Sequence, residues 1–490
     1  MADSAKRTTG RRRRVLSCLV FAPTLGGALK VRPPHLQELD VAVVGGGIAG
    51  LASAVSLSAL AGFRRIRVFE RDGGFGKGGF GLALWPNGLR ALHHLDASLH
   101  DEVVRSGSVI EERLVTTTES TTIDYCHFRE AFGHPMLCVR LLSLQNALRR
   151  TALRLGCEII SGASCEDVYP VPGADGKMKR AALVVAEEGE EEVFTTDFVV
   201  GADGLTSVLR ARLGDASQPR DTHCVWFFGI VGHEACPILC RHRVHTFFLS
   251  DPTKAARMMP CGEHNTYWAV ALTGEDLEEA MELSGEEEEM KRFLKFQFGE
   301  CEPLVKLILA TPPHQIHRRR IEASRLTSEC TLDIFSFIFA EERTPRSLDR
   351  PASSSFVSGS GPGEFYSALV GDAAHPTRPS LGQGANMALE DAVQLGLLLH
   401  ETGSIEEALR EYDAARVLRC AKLQGDSAFV AARTRKHGED DWRAWGKAGQ
   451  ACRSRPANEG LGDAEFVYNW QPERLHRFPW RGGNRAPLES

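Results

Sequence analysis

Apolar positions along this chain fall into short unbroken runs, aromatic-rich runs and stretches with no pattern, and each kind predicts a different element. Residues 41–44 form an apolar strand-length run, an alanine- and leucine-rich helix is expected to about Ala61, and residues 66–70 read as a second strand ending on Glu70. Residues 197–200 and the run ending at Leu369-Val370 are further strands, each closing on a glycine and an acid. Residues 225–231, 244–249 and 266–272 are rich in aromatic and β-branched side chains and predict another sheet. Segments near 108–124 are expected to join it, which makes that domain discontinuous. Helices are expected over 277–298 and 303–310. Pro376, Pro379, Gly382 and Gly384 delay a further helix until about Asn386, from where it runs to His400. Residues 341–363, charged and rich in Pro, Ser and Gly, have no period and read as a disordered insertion.

Composition narrows the class. With 490 residues, 43% hydrophobic and 25% charged, the chain can bury a large core and split into two domains plus tails. A net charge of −6 argues against a nucleic-acid partner. Thirteen cysteines without regular spacing read as reduced thiols in an intracellular protein. His233, Cys236, Cys240, His242 and His245 lack the long interval between ligand pairs of a zinc finger, so an ordinary strand-turn-strand and no metal are expected there. Residues 1–36 are basic and carry Ser and Thr, which fits either a transit or signal peptide or a disordered basic tail. Their apolar stretch, broken by Pro23 and Gly26-Gly27, is too short to span a bilayer, and no other segment is apolar enough. The expected location is cytoplasmic, or organellar if the extension is a transit peptide.

Three motifs carry the chemistry. Strand, Gly45-x-Gly47-x-x-Gly50, helix, second strand and Glu70 together make a dinucleotide fingerprint in its required context. In it Gly45 makes the tight turn, Gly47 admits a pyrophosphate to the backbone, Gly50 allows close helix packing and Glu70 accepts ribose hydroxyls. The second motif is Gly201-Ala-Asp203-Gly204 at a strand end. The third runs from Leu369 to Asp391: Asp372 can accept bonds from a polyol-like ligand, and a helix N-terminus follows that favours an electron-rich or anionic ring.

At these residues, and at 81–92 and 408–419, the chain resembles the FAD-dependent aromatic-ring and related monooxygenases, the single-component flavoprotein hydroxylases, over about residues 38–425. The resemblance implies an α/β fold. A Rossmann-like FAD-binding domain (37–107, 126–215 and 364–430) would carry an inserted mixed or antiparallel β-sheet substrate domain (108–125 and 216–325), with a C-terminal helix and tail over 431–490. It implies that Gly45, Gly47, Gly50, Glu70 and Arg71 hold the ADP half of FAD, with Asp203 and Arg140 also at the cofactor. Asp372 would hold the ribityl chain, and Gly382, Gly384, Ala385 and Asn386 would lie by the pyrimidine edge of the flavin. Arg140 departs from the family's Arg-x-x-Leu by one position.

The activity implied is NAD(P)H- and O2-dependent hydroxylation or epoxidation of an aromatic or polyene small molecule through a flavin C4a-hydroperoxide. With a single dinucleotide fold, NAD(P)H visits the flavin transiently. His375 is the candidate for proton handling, and Tyr267 and Trp268 are candidates for the substrate pocket. Two alternatives stay open: an FAD-dependent reductase or dehydrogenase without oxygen insertion, and a non-catalytic flavin-binding protein.

Overall fold

The structure is a computed structural model. It describes residues 34–74, 80–118, 120, 122–173, 179–187, 189–215, 220–235, 242–251, 254–273, 276–283, 287–323, 355–359, 364–436, 467–468 and 470–472. The first 33 residues, most of the segment after 436 and the stretch from Cys236 to Cys240, where no metal was expected, lie outside the described residues.

The unbroken apolar runs become strands because both faces of their sheet are covered. The strand order is Val357–Ser358, Tyr366–Leu369, Phe198–Gly201, Asp40–Val44, Arg65–Glu70, Glu158–Ser161. All neighbours are parallel except the first pair. Val41, Val43, Ile66, Val68, Phe198 and Val200 face a helical layer that includes Ile48–Ser56, Leu141–Arg154 and Gly384–Thr402. Ala42, Val44, Phe69, Val199 and Leu369 face the other way, onto a three-stranded antiparallel sheet of Ala163–Pro172, Lys179–Glu187 and Glu190–Thr196.

The aromatic-rich runs form a seven-stranded sheet in the order His317–Ala323, Arg220–Gly232, Asn265–Thr273, Lys254–Pro260, Arg243–Phe248, Glu112–Thr117, Thr122–His127. It is antiparallel except between Arg243–Phe248 and Glu112–Thr117. Alternation sorts its side chains. Phe227, Met258, Trp268 and Val270 pack on helices Asp276–Glu282, Glu287–Gln297 and Glu302–Ala310. Phe228, Ile230, Met259, Tyr267 and Ala269 turn to the opposite face, where Trp85, Phe128 and Met387 meet them. The expected fold class is therefore the observed one.

Several boundaries differ from expectation. Ser108–Ile110 does not enter the large sheet; it pairs with Met136–Arg140, which also pairs with Gly81–Leu84. Within the expected disordered insertion, Val357–Ser358 is a strand, and Asp413 accepts bonds from the Phe356 N–H at 2.7 Å and the Ser355 hydroxyl at 3.1 Å. A buried acid anchors this segment where composition alone promised none. The helix expected from Asn386 starts at Gly384, and Ile405–Lys436 is one helix that crosses the boundary expected at residue 430. Among the described residues no helix is long and apolar enough to cross a membrane.

Trp268 is the clearest correction. Adjacent strand residues point to opposite faces, so Tyr267 and Trp268 cannot both line one pocket. Trp268 has no exposed surface, lies across Gly229 and donates its Nε1–H to Thr311 Oγ1 at 2.8 Å. We expect Trp268→Phe to cost about 1–2 kcal/mol by losing that bond and some packing, read as a lower urea midpoint with ligand affinity unchanged. A loss of affinity at unchanged stability would return it to the pocket.

Candidate functional site

The glycine loop follows directly from the end of strand Asp40–Val44. Gly45 has φ +104°, which favours glycine, and a Cβ there would sit 2.3 Å from the Ala202 carbonyl oxygen. A Cβ on Gly50 would meet the Gly45 carbonyl oxygen at 1.9 Å, whereas one on Gly47 would meet nothing within 4 Å. Two glycines thus close the turn against the next strand, and the third leaves its outer side clear for a ligand's backbone approach at the N-terminus of helix Ile48–Ser56.

Glu70 also braces this loop. Its two carboxylate oxygens accept from Gly46 N–H at 2.6 Å and Asp72 N–H at 2.9 Å, and Gln145 donates to the Gly46 carbonyl at 3.1 Å. Arg71 is exposed beside it. Arg140 is exposed at the end of its strand, where it begins helix Leu141–Arg154.

The second and third motifs are joined by a residue that sequence reading missed. Asp203 caps the short helix Val208–Arg212, accepting from Val208 N–H at 2.7 Å. Arg210 of that helix is 6% exposed, and its guanidinium donates to the carbonyls of Leu205, Asp372 and Ala373. A buried cation therefore holds the Gly-Ala-Asp-Gly turn to the Asp372 turn. An arginine on a five-residue helix has no periodicity that could have announced it.

Asp372 is exposed, yet protein surrounds it closely enough that desolvation raises its carboxyl above the ordinary 3.8, opposed by His375, Arg319 and Arg210. A Cβ on Gly384 would lie 4.0 Å from Asp372 Oδ1, so the acid stands beside the N-terminus of helix Gly384–Thr402. Gly382, at φ +64°, closes the loop against Trp85 Nε1, 3.0 Å from where a Cβ would be. Ala385 is in the first turn and is partly exposed.

Two expectations about this stretch need correction. Asn386 is fully buried: its Oδ1 accepts from Trp85 N–H at 2.9 Å, and its Nδ2 donates to Ala83 and Gly382 carbonyls at 3.1 and 2.9 Å. Its amide shapes the loop and is not exposed. His375 has no exposed surface, and its Nε2 lies 2.6 Å from Asp391 Oδ2. Nearness to Asp372 in sequence suggested proton handling at the ligand, but the side chain turns inward.

Beneath the loop lies a buried ionic network. Arg416 binds Asp391 Oδ1 at 2.7 Å and Glu390 Oε2 at 2.8 Å, and Arg419 binds Glu390 at 2.6 Å. Asn87 donates to Glu390 at 2.8 Å, Asp391 accepts from Gly371 N–H at 2.8 Å, and Tyr412 donates to the Leu369 carbonyl at 3.0 Å. Burial works against the charge on Asp391, but His375 and Arg416 hold its pKa down to about 2. Burial likewise opposes charge on His375, and Asp391 raises its pKa well above 6.5. His375, Asp391 and Cys420 are close enough to share a metal ion. Arg416 already occupies Asp391 and donates to Cys420, so the trio reads as part of the ionic network.

The residues present fit FAD. A crowded turn with one clear glycine suits a pyrophosphate, Glu70 stands at the second strand's end, and an accessible carboxylate beside a helix N-terminus suits a polyol chain leading to a ring that takes up negative charge. Comparison with known proteins agrees. Residues 38–323 and 367–425 match the family described as FAD binding domain. The chloroplastic zeaxanthin epoxidase of Solanum lycopersicum is 28% identical over 418 residues, covering 81% of this chain and 54% of that protein. The chain thus spans about half the length of that relative. The 3-amino-4-hydroxybenzoate 2-monooxygenase of Streptomyces cremeus is 29% identical over 408 residues, covering 79% and 85%. Klebsiella pneumoniae HpxO, solved with FAD and uric acid, superposes with a TM-score of 0.67 at 23% identity, covering 90% of this chain and 98% of that one. With the matched segments taking in the glycine loop, the Asp203 turn and the Asp372 helix start, this chain belongs to the FAD-binding-domain family.

Proposed function

We propose that this chain is an FAD-dependent monooxygenase that uses NAD(P)H and O2 to hydroxylate or epoxidise an aromatic or polyene small molecule. The observation that carries this reading is the position of Asp372, an accessible but desolvated carboxylate beside the N-terminus of helix Gly384–Thr402. When bound, FAD supplies the redox chemistry, taking reducing equivalents from NAD(P)H and passing them to O2.

The protein's own residues would do the rest. Gly45, Gly47 and Gly50 with the start of helix Ile48–Ser56 would receive the pyrophosphate, Glu70 the ribose and Asp372 the ribityl hydroxyls. Arg71, Arg140 and Asp203 lie on the segments that frame the same cofactor. The loop Gly382–Ala385 and the positive end of its helix would favour negative charge on the ring's pyrimidine edge. Tyr267, with the aromatic face it belongs to, would cover the site and keep water out. The named relatives act on an aromatic acid and on a polyene, and the two substrate classes bracket this proposal. If residues 1–36 are a transit peptide the destination is organellar, as the name of the chloroplastic relative would suit, and if they are a basic tail it is cytoplasmic.

The test is to load the purified chain with FAD and screen phenolic acids, purines and carotenoids for stimulated NAD(P)H oxidation, with 18O2 tracing into product. Label in the product is the expected result. Oxidation of NAD(P)H that never yields labelled product would favour the reductase or dehydrogenase reading. A yellow protein that never bleaches with NADPH would favour a non-catalytic flavin binder.

A further inference from the structure

Between Glu465 and Glu473 the sequence carries a short run of apolar and aromatic residues. Three of them, Val467, Tyr468 and Trp470, are buried, at 7%, 7% and 4% exposure. They lie past residue 425, where the match to the FAD-binding family ends. Val467 and Tyr468 join the cluster that holds Phe228, Tyr267 and Met387, whereas Trp470 joins the core of the helical layer.

Two buried arginines fix this segment through its backbone. Arg90, in helix Pro86–Leu95, donates to the Tyr468 carbonyl at 3.2 Å and to the Trp470 carbonyl at 2.6 Å. Arg419 donates to the Val467 carbonyl at 3.1 Å and also holds Glu390. Buried carbonyls need donors, and charged donors make the stronger bonds. The segment is therefore tied to the helix that follows Trp85 and to the ionic network beneath the flavin loop.

With its backbone held, the Tyr468 ring lies stacked on Trp85, centres 5.0 Å apart and planes 23° apart, and meets Phe132 edge-on at 5.0 Å. Phe128 meets the same indole edge-on at 5.5 Å. Trp85 in turn touches the flavin loop twice. Its Nε1 is 3.0 Å from where a Gly382 Cβ would be, and its backbone N–H donates to Asn386 Oδ1 at 2.9 Å. Aromatic pairs hold a preferred offset or edge geometry. A change at Tyr468 is thus felt at Trp85 and, one contact further, at Gly382.

We propose that Tyr468 is a positioning residue for the flavin: the segment from Val467 to Trp470 clamps Trp85 against the Gly382 loop and so holds the positive end of helix Gly384–Thr402 at the ring's pyrimidine edge. This rests on the assignment of that loop to the ring. A helix N-terminus favours the negatively charged reduced flavin over the neutral oxidised one, so a loosened loop weakens the reduced state selectively. The reduction potential reads that difference with no substrate and no turnover.

The experiment measures FAD content, thermal melting and the flavin midpoint potential of the FAD-loaded full chain. Tyr468→Ala should retain FAD and lower the potential by about 30 mV, the equivalent of a tenfold loss of preference for the two-electron-reduced flavin. Tyr468→Phe keeps the stack and should keep the parent's potential. Trp268→Phe, on the opposite face of the large sheet, is the control, which should melt lower with the potential unmoved. Gly382→Ala, strained at φ +64°, disturbs the loop itself and should lower the potential as well.

Tyr468→Leu carries the comparison if the alanine variant loses FAD. If the leucine variant loses it too while Tyr468→Phe keeps it, the stack is what the loop requires and the proposal stands. The proposal is overturned if Tyr468→Ala melts lower at an unchanged potential, or if Tyr468→Phe shifts the potential as far as alanine does. The two readings fail separately. A potential unmoved by Gly382→Ala would sink the assignment of the loop to the ring, whereas a shift with Gly382→Ala and none with Tyr468→Ala would sink the clamp alone.

Discussion

Gly50→Val should leave a protein that purifies almost free of FAD. The added Cβ would lie 1.9 Å from the Gly45 carbonyl oxygen and 3.3 Å from the Ala202 Cβ, and the first of these is backbone with no rotamer to relieve it. Helix Ile48–Ser56 must then move away from the turn, and its N-terminal N–H groups move with it. Those groups and the turn are the two halves of the proposed phosphate cradle, so a small displacement would cost both the dipole and the hydrogen bonds. A loss of about 3 kcal/mol in cofactor binding lowers affinity by more than a hundredfold. The ratio of flavin to protein absorbance after gel filtration measures it. Gly47→Ala is the control, because a Cβ there meets nothing within 4 Å, and it should reduce FAD content far less. Equal loss from the two substitutions would show that the cradle is not built as described.

The second large effect lies under the flavin loop. Arg416→Met should destabilise the protein by about 3–5 kcal/mol, because removal of one partner leaves buried charge uncompensated. Glu390 retains Arg419 and Asp391 retains His375, but both acids have zero exposure and lose their shared cation. The urea midpoint is the measurement, and a change under 1 kcal/mol would mean that the network is not buried as placed.

The same network predicts a pH signature. Asp391 is depressed from 3.8 to about 2, so its contribution, roughly 2 kcal/mol, is present above about pH 4 and is lost as pH falls toward 2. His375 is raised above 6.5, so its contribution is complete below that pH and is lost as pH rises through its higher folded value. The pair therefore stabilises fully between about pH 4 and 6.5 and fades on the alkaline side. In His375→Gln the deficit relative to the parent should be largest in that window and shrink as pH increases. Parallel stability profiles for parent and variant would refute the assignment.

What the sequence disclosed and what it hid follow from the range of the interactions. The turn at Gly45 was legible because strand, glycines, helix and acid are consecutive, and each constrains the next. The aromatic strands were legible as a second sheet, but their facing was not used: alternation alone separates Tyr267 from Trp268, and that signal was available. Asp372, His375 and Asn386 are close in sequence, yet only Asp372 is exposed, because each side chain's direction is set by a partner outside the motif, Asp391 for His375 and, some three hundred residues away, Trp85 for Asn386. The pairing of Glu390 and Asp391 with Arg416 and Arg419 joins two helices and has no period in the chain. Val357–Ser358 was hidden for the same reason, since Asp413 fixes it from outside a polar, patternless segment.

The strand order of the nucleotide-binding sheet also bears on how the chain is made. Strands from the first 201 residues can assemble as they leave the ribosome, and the large sheet is complete only once Ala323 has emerged. Tyr366–Leu369 can only then take its place beside Phe198–Gly201, and Glu390 and Asp391 stay uncompensated until Arg416 and Arg419 have been translated. The glycine turn, to which we assign the phosphates, is thus built early, and the Asp372 and Gly382 turns, to which we assign the ring side, are built last. Chains released between those two points would carry a nucleotide cradle without its counterpart, and buried acids without their cations would mark them for proteolysis.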